Sequence, residues 1–205
     1  MSEALQFLQG YCDFSDPHWV WILTGMSRNK DNPNPHHDYL QRLVVKSPEE
    51  IEECYKRIRQ ETNDPATAYR LYVSLNARDA VKTVYNFQHT LLDIGYGLSK
   101  GQPDALVKAK KIASIWKDEL AQSSNRATKR ILLDVDTTDA FRRTEALAYL
   151  DTHGAIVRAQ RITPNGFHIV IDACDTRDFM AYCKEREIPV DLQRDSLVYV
   201  EKWTG

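Results

Sequence analysis

Two aspartates two positions apart, a histidine just after a turn and a further aspartate near the C-terminus are the side chains in this 205-residue chain best suited to chemistry. Asp134 and Asp136 lie in ILLDVD (131–136), an apolar run that reads as a strand. Alternation along a strand sends both carboxylates to one face and Leu133 and Val135 to the other. Carboxylates held together repel and raise one another's pKa, a cost that a divalent cation relieves. Hard cations such as Mg²⁺ or Mn²⁺ prefer oxygen ligands. Two such ions ~3.5–4 Å apart can stabilise the attacking and leaving oxygens of an in-line phosphoryl displacement. His168 follows the turn Thr163-Pro164-Asn165-Gly166 and, on the same face as the acids, is placed to meet the phosphates of a nucleotide. Backbone N–H groups of the Asn165-Gly166 turn can serve the same anion. Asp195 is the expected third acid, with Asp191 of VDLQRD as its competitor.

The elements that must position these groups follow from periodicity. ILLDVD is a strand, and residues 139–154 a helix ended by Gly154. AIVRAQRI and FHIVID form a hairpin about the TPNG turn, residues 176–186 a helix, and SLVYVEKW (196–203) a last strand. The order β-α-β-β-α-β is the split βαβ, or RRM-like, arrangement. There the first strand lies between the third and fourth, both antiparallel to it. Asp134, Asp136, His168 and Asp195 would then converge at one edge of one face, and Leu133 and Val135 would pack against the two helices.

The preceding residues read as a smaller αβ lobe. Its expected elements are a helix over 2–10, strands over 18–26, 38–46 and 69–76, and a helix from Ser47-Pro48 to about residue 63. Two more helices are expected over about 79–98 and 103–122. The fold class is therefore α+β, with a lobe over 1–125 and a core over 126–205 forming one compound domain. Arg161 is an alternative phosphate partner. Ser74, Asn76 and Arg78 either help seat a nucleotide or cap the following helix. The lysines 108, 110, 111 and 117 read as a solvated face, His36-His37-Asp38 as part of a polar loop, and Trp19 and Trp21 as core.

Bulk properties exclude several classes. With 42% hydrophobic and 27% charged residues, the chain is neither a disordered tail nor a fibre. A formal charge of −2 leaves any nucleic-acid binding to local patches. No run approaches the ~20 apolar residues of a membrane span, and MSEALQFLQG lacks a signal-peptide pattern, so a cytoplasmic chain is expected. Four cysteines without a C-x-x-C pair argue against zinc and against a disulfide framework.

ILLDVD resembles the hydrophobic-Asp-hydrophobic-Asp first motif of the archaeo-eukaryotic primase superfamily. TPNGFHIVI is similar to its second motif in the bacterial and phage primase-polymerase form, although Gly166 stands where many members carry serine. DSLVY resembles the third motif, and YVSLNAR (72–78) a stretch that precedes the first in phage-type members. The resemblance spans roughly the last 135 residues. It implies an RRM-like core backed by an N-terminal αβ lobe, with the active site between them. It further implies metal-dependent nucleotidyl transfer from nucleoside triphosphates, making or extending primers on a single-stranded or primed template. Asp134, Asp136 and Asp195 would be the metal ligands and His168 the triphosphate contact. No helicase or zinc-bearing module is read in the chain, which leaves room for a separate helicase as partner, and the compact core suggests a phage or mobile element. Two other readings stay open: a non-catalytic nucleic-acid-binding replication accessory, and a metal-dependent phosphodiesterase or nuclease using the same acids.

Overall fold

The computed structural model describes residues 2–28, 31–32, 40–62 and 64–204. His36-His37-Asp38 and most of the loop that holds them lie outside the described residues. The architecture is mixed α+β with two antiparallel sheets.

The first sheet is built from β1 (Trp19–Ser27), β2 (Leu40–Val45), β3 (Ala68–Ser74) and β9 (Leu197–Thr204), in the order β2-β1-β3-β9. A two-residue strand, β4 (Arg78–Asp79), pairs with the start of β1. The second sheet contains β5 (Arg130–Val135), β6 (Val157–Thr163), β7 (Gly166–Asp172) and β8 (Val190–Gln193), in the order β6-β7-β5-β8. Helices α1 (Glu3–Tyr11), α2 (Glu50–Glu61), α3 (Ala80–Ser99), α4 (Pro103–Lys110), α5 (Ile112–Ala121), α6 (Ala140–Thr152) and α7 (Arg177–Glu185) complete it.

One expectation about the core is corrected. The last strand was expected to lie beside ILLDVD, but β9 pairs with β3 in the first sheet. The place beside β5 is taken by β8, a four-residue strand that the sequence reading passed over. The physical reason is burial: Val198 and Val200 are wholly buried and join Leu71, Val73 and Trp203 in the core of the first sheet. A boundary at 125/126 therefore separates the strands of the two sheets except for β9.

Side-chain alternation then divides the labour of β5. Ile131, Leu133 and Val135 pack with Ala146 and Leu150 of α6 and Phe179 and Cys183 of α7. Leu132 goes the other way, joining Val170 and Ala159 in the core shared with the first sheet, α1 and α2. The second sheet is thus covered on both faces, by helices on one and by the first sheet on the other.

Local signals account for most helix boundaries. Asp139 caps α6 by accepting from Phe141 N–H at 2.8 Å, and Gly154 takes a left-handed φ of +71° just past its end. Asp79 caps α3 in the same way from Lys82 N–H. Two boundaries differ from the sequence reading. Ser47-Pro48-Glu49 form a turn ahead of α2, and the Glu50 carboxylate reaches back to Lys46 N–H at 2.9 Å. The helix expected over 103–122 divides at Lys111. That break lets α4 set Ala105 on Gly97 of α3 while α5 brings Trp116 edge-on to Phe87.

Gly166 is fixed by close approach of backbone. A Cβ there would fall 1.9 Å from the Val135 carbonyl oxygen and 2.9 Å from Thr137 N. These are main-chain atoms at the end of β5 and cannot swing aside as a side chain can. Gly166→Ala is expected to lower the thermal unfolding midpoint by roughly 2–10 °C, the effect of ~1–3 kcal/mol of overpacking in a chain of this size. Thermal denaturation followed by circular dichroism checks this; an unchanged midpoint would contradict the approach.

Candidate active site

Register places a row of polar residues across the second sheet. Arg161 of β6 is paired with His168 of β7, His168 with Asp134 of β5, and Asp134 with Asp191 of β8. Directly paired residues project to the same face. The neighbouring row on that face is Ala159, Val170, Leu132 and Gln193, largely apolar and packed towards the first sheet. The polar row therefore opens where the apolar contact between the sheets ends.

There the sheets enclose a cleft of about 330 Å³. Asp134, Asp136, His168 and Asn165 line one wall, and Arg28, Arg70, Tyr72 and Tyr199 the other. Asp136 is exposed, and its backbone N–H is tied to Pro189 O at 3.0 Å, which holds the end of β5 against the approach to β8.

His168 is the most constrained member. It is 7% exposed, and its Nδ1 accepts a hydrogen bond from Tyr199 N–H at 3.1 Å. An Nδ1 that accepts leaves the ring proton on Nε2. Nε2 lies 3.4 Å from Asp134 Oδ1, a looser approach than a well-formed hydrogen bond. The imidazole thus presents an N–H donor into the cleft rather than a lone pair. In this tautomer it suits an anionic oxygen and not a metal ion. Among the described residues neither Asp134 nor Asp136 meets a lysine or arginine, so their oxygens remain the hard donors of the site.

The other sequence candidates are placed differently. Asp195 sits on the turn before β9 and receives a bidentate pair from Arg78, at 2.8 and 3.2 Å. Both line an adjoining hollow of about 200 Å³ that shares Met26, Ser196 and Leu197 with the cleft holding Asp134 and His168. Asp191 stands across from Asp134 and accepts from the Gln193 side chain at 2.9 Å. Asn76 is fully buried and spent within the fold. Its Oδ1 accepts from Arg130 N–H at 2.7 Å and from the Thr128 hydroxyl at 3.2 Å, and its Nδ2 donates to Arg194 O at 3.3 Å, tying the end of β3 to both β5 and the β8–β9 turn. Ser74 is also buried, and its hydroxyl accepts from Ile22 N–H. Arg161 reaches Glu3 of α1 at 2.8 Å and the Val200 carbonyl of β9, with its guanidinium over Phe7. Gly166 belongs to the turn geometry already described. Among the described residues, no three histidine, cysteine, aspartate or glutamate side chains gather into a metal-holding group.

The basic wall was missed in the sequence. Its signal was present in YRLYVSLN, where Arg70, Tyr72 and Ser74 alternate with Leu71, Val73 and Leu75. Arg70 is 4% exposed and makes a bidentate pair with Asp31 at 2.6 and 2.7 Å, and Lys202 of β9 joins the same carboxylate at 2.9 Å. Arg28 donates to the Tyr72 hydroxyl at 3.3 Å and meets no carboxylate among the described residues. Burial raises the Tyr199 hydroxyl pKa, which keeps that phenol neutral.

No protein-family model matches the chain, and no curated protein is significantly similar to it.

Asp31 gives this wall a pH dependence. Burial pushes its carboxyl pKa up, but the hydrogen bonds and charges of Arg70 and Lys202 outweigh that and hold it below the ordinary aspartate value. A carboxylate depressed in the fold stabilises it above the unfolded value of ~3.9, and that contribution fades as pH falls through the folded value. Asp31→Asn should therefore cost stability at pH 6, and the gap between variant and wild type should narrow below about pH 4. Urea denaturation at several pH values reads this out, and a gap that is constant with pH would contradict it.

Proposed function

We propose that the chain is a metal-dependent nucleotidyltransferase of primase-polymerase type, with an RRM-like core formed by β5-α6-β6-β7-α7-β8. The lateral order β8-β5-β7-β6, with the first strand of the unit between its third and fourth, supports that description of the core. One observation carries the functional reading. Two carboxylates and an imidazole N–H donor face the same cleft, opposite an arginine with no acidic partner among the described residues.

The donor set fits a hard divalent ion. Mg²⁺ is commonly held by one or two carboxylates, with waters and substrate phosphates completing its shell, so a closed protein cage is not required. Asp134 and Asp136 would hold it, and when bound it would neutralise charge developing on the phosphoryl oxygens.

The remaining work falls to the chain. His168 Nε2–H donates to a phosphate oxygen of the incoming nucleotide, its direction fixed by the Tyr199 backbone. Arg28 supplies positive charge from the facing wall, and Asn165 borders the same space. Arg70, neutralised by Asp31, shapes the wall, and Arg28 also holds the Tyr72 hydroxyl. The attacking hydroxyl of a primer or initiating nucleotide would displace pyrophosphate at the α-phosphorus. For the third carboxylate, strand register supports Asp191, whereas Asp195 is already engaged by Arg78.

The test is incorporation of labelled nucleotide on a primed template with Mg²⁺ or Mn²⁺. Asp134→Ala with Asp136→Ala should reduce incorporation by on the order of 10²–10³-fold or more while leaving the circular dichroism spectrum unchanged. Full incorporation by that variant would refute the proposal. Shortening of labelled nucleic acid by metal alone would replace it with a nuclease. Metal-independent binding without incorporation would replace it with an accessory role.

A further inference from the structure

Helix α3 has two faces that contrast with the usual amphipathic arrangement. Its inner side combines a few small and polar contacts with the buried Ile94. Thr83 and Gly97 are buried, Asn86 donates to Asn125 at 2.7 Å, and Phe87 meets Trp116. Its outer side is apolar. Val81, Val84, Tyr85, Leu91, Leu92, Tyr96 and Leu98 are all exposed, with Leu92 at 70%, Tyr85 at 65% and Tyr96 at 64%. Most of these recur at three- and four-residue spacing, the pattern by which a helix presents one stripe to a partner helix.

We propose that this stripe is the interface of a homodimer, in which two copies of α3 pack antiparallel about a two-fold axis at Gln88. The sequence is self-complementary about that residue. Tyr85 falls opposite Leu91 of the second copy, Val84 opposite Leu92, and Val81 opposite Gly95. A Cβ at Gly95 would meet no atom within 4 Å, so the position offers open space for the facing Val81. A two-fold interface needs this property, because one patch must fit itself. Gln88, at the axis, can hydrogen-bond its own copy.

The size of the stripe fits as well. A fully exposed aromatic presents ~150–250 Å², and leucine or valine somewhat less. The observed exposures then amount to roughly 700 Å² of accessible surface per protomer, the most these seven side chains can contribute towards the ~800 Å² a side of a standard interface. Monomers rarely leave contiguous apolar patches beyond a few hundred Å² uncovered. Lys82 and Asp93, the charged residues of α3, lie off the stripe, and Lys100, just past its end, sets its ammonium over the outer edge of the stripe at Tyr96, 5.5 Å from the ring centre. Neighbouring α4 adds exposed Leu106 and Val107.

Sedimentation equilibrium of the full chain at micromolar concentrations should give twice the chain mass. Leu92→Glu and Tyr85→Glu should each weaken association at least ~30-fold without altering the circular dichroism spectrum. In a Cys174→Ser background, Gln88→Cys should oxidise to a covalent dimer, while Phe141→Cys, exposed on α6, should not. A chain that is monomeric throughout overturns the proposal, whether or not it binds another protein or vesicles. So does dimerisation unchanged by both glutamates, or failure of Gln88→Cys to cross-link where dimer is present.

Discussion

One of the hydrogen bonds that join the two sheets, Tyr199 N–H to His168 Nδ1, sets the character of the cleft. It comes from main chain, so its direction is dictated by the path of β9 and not by a mobile side chain. It makes His168 a donor on its open side, and it does so inside an almost fully buried environment. A donor oriented in advance and shielded from water is worth more to a developing or incoming negative charge than the same group free in solution. Without β9 alongside, either ring nitrogen could carry the proton and the histidine would lose its assigned direction.

The placement of β9 is itself enforced by a set of fasteners around the cleft. Arg161 binds the Val200 carbonyl from β6, Lys202 binds Asp31, and Asn76 binds backbone on both sides of the junction. Each is a charged or amide group bonded to partners from another segment, so breaking any of these bonds would cost desolvation with no return. The apolar contact of Leu132 and Val170 with the core of the first sheet supplies the larger share of the attraction. Polar fasteners then fix where the sheets stop sliding, which locates the polar row at the mouth.

Much of this was legible in the residues. The strand–helix order from 130 to 186 follows from periodicity, and the shared face of Asp134 and Asp136, with Leu133 and Val135 opposite, follows from alternation along the strand. The sheet to which β9 belongs did not follow, because its alternating pattern would suit either sheet and its partner β3 is remote in sequence. β8 was hidden for a different reason: Val-Asp-Leu-Gln is short and half polar, with no turn signal to mark it. Asn76 and Arg78 stood out as polar residues after a buried strand, but only three-dimensional neighbours show Asn76 spent within the fold and Arg78 on Asp195. Arg70 illustrates the converse. An arginine within a buried strand asks for a carboxylate, and the answer, Asp31, lay in a loop that composition marks merely as polar.

The pairing of β3 with β9 has a consequence for the order of assembly. The first sheet is laid down early in the chain, yet its fourth strand is supplied only after all of α3 through β8 has been made. Until then β3 carries a bare edge of backbone donors and acceptors, next to side chains that have no cover. Contacts that join distant parts of a chain form slowly. A ribosome-bound intermediate of this protein would therefore spend its synthesis time with an open β-edge, a state that chaperones or premature strand exchange could exploit before the histidine is ever aligned.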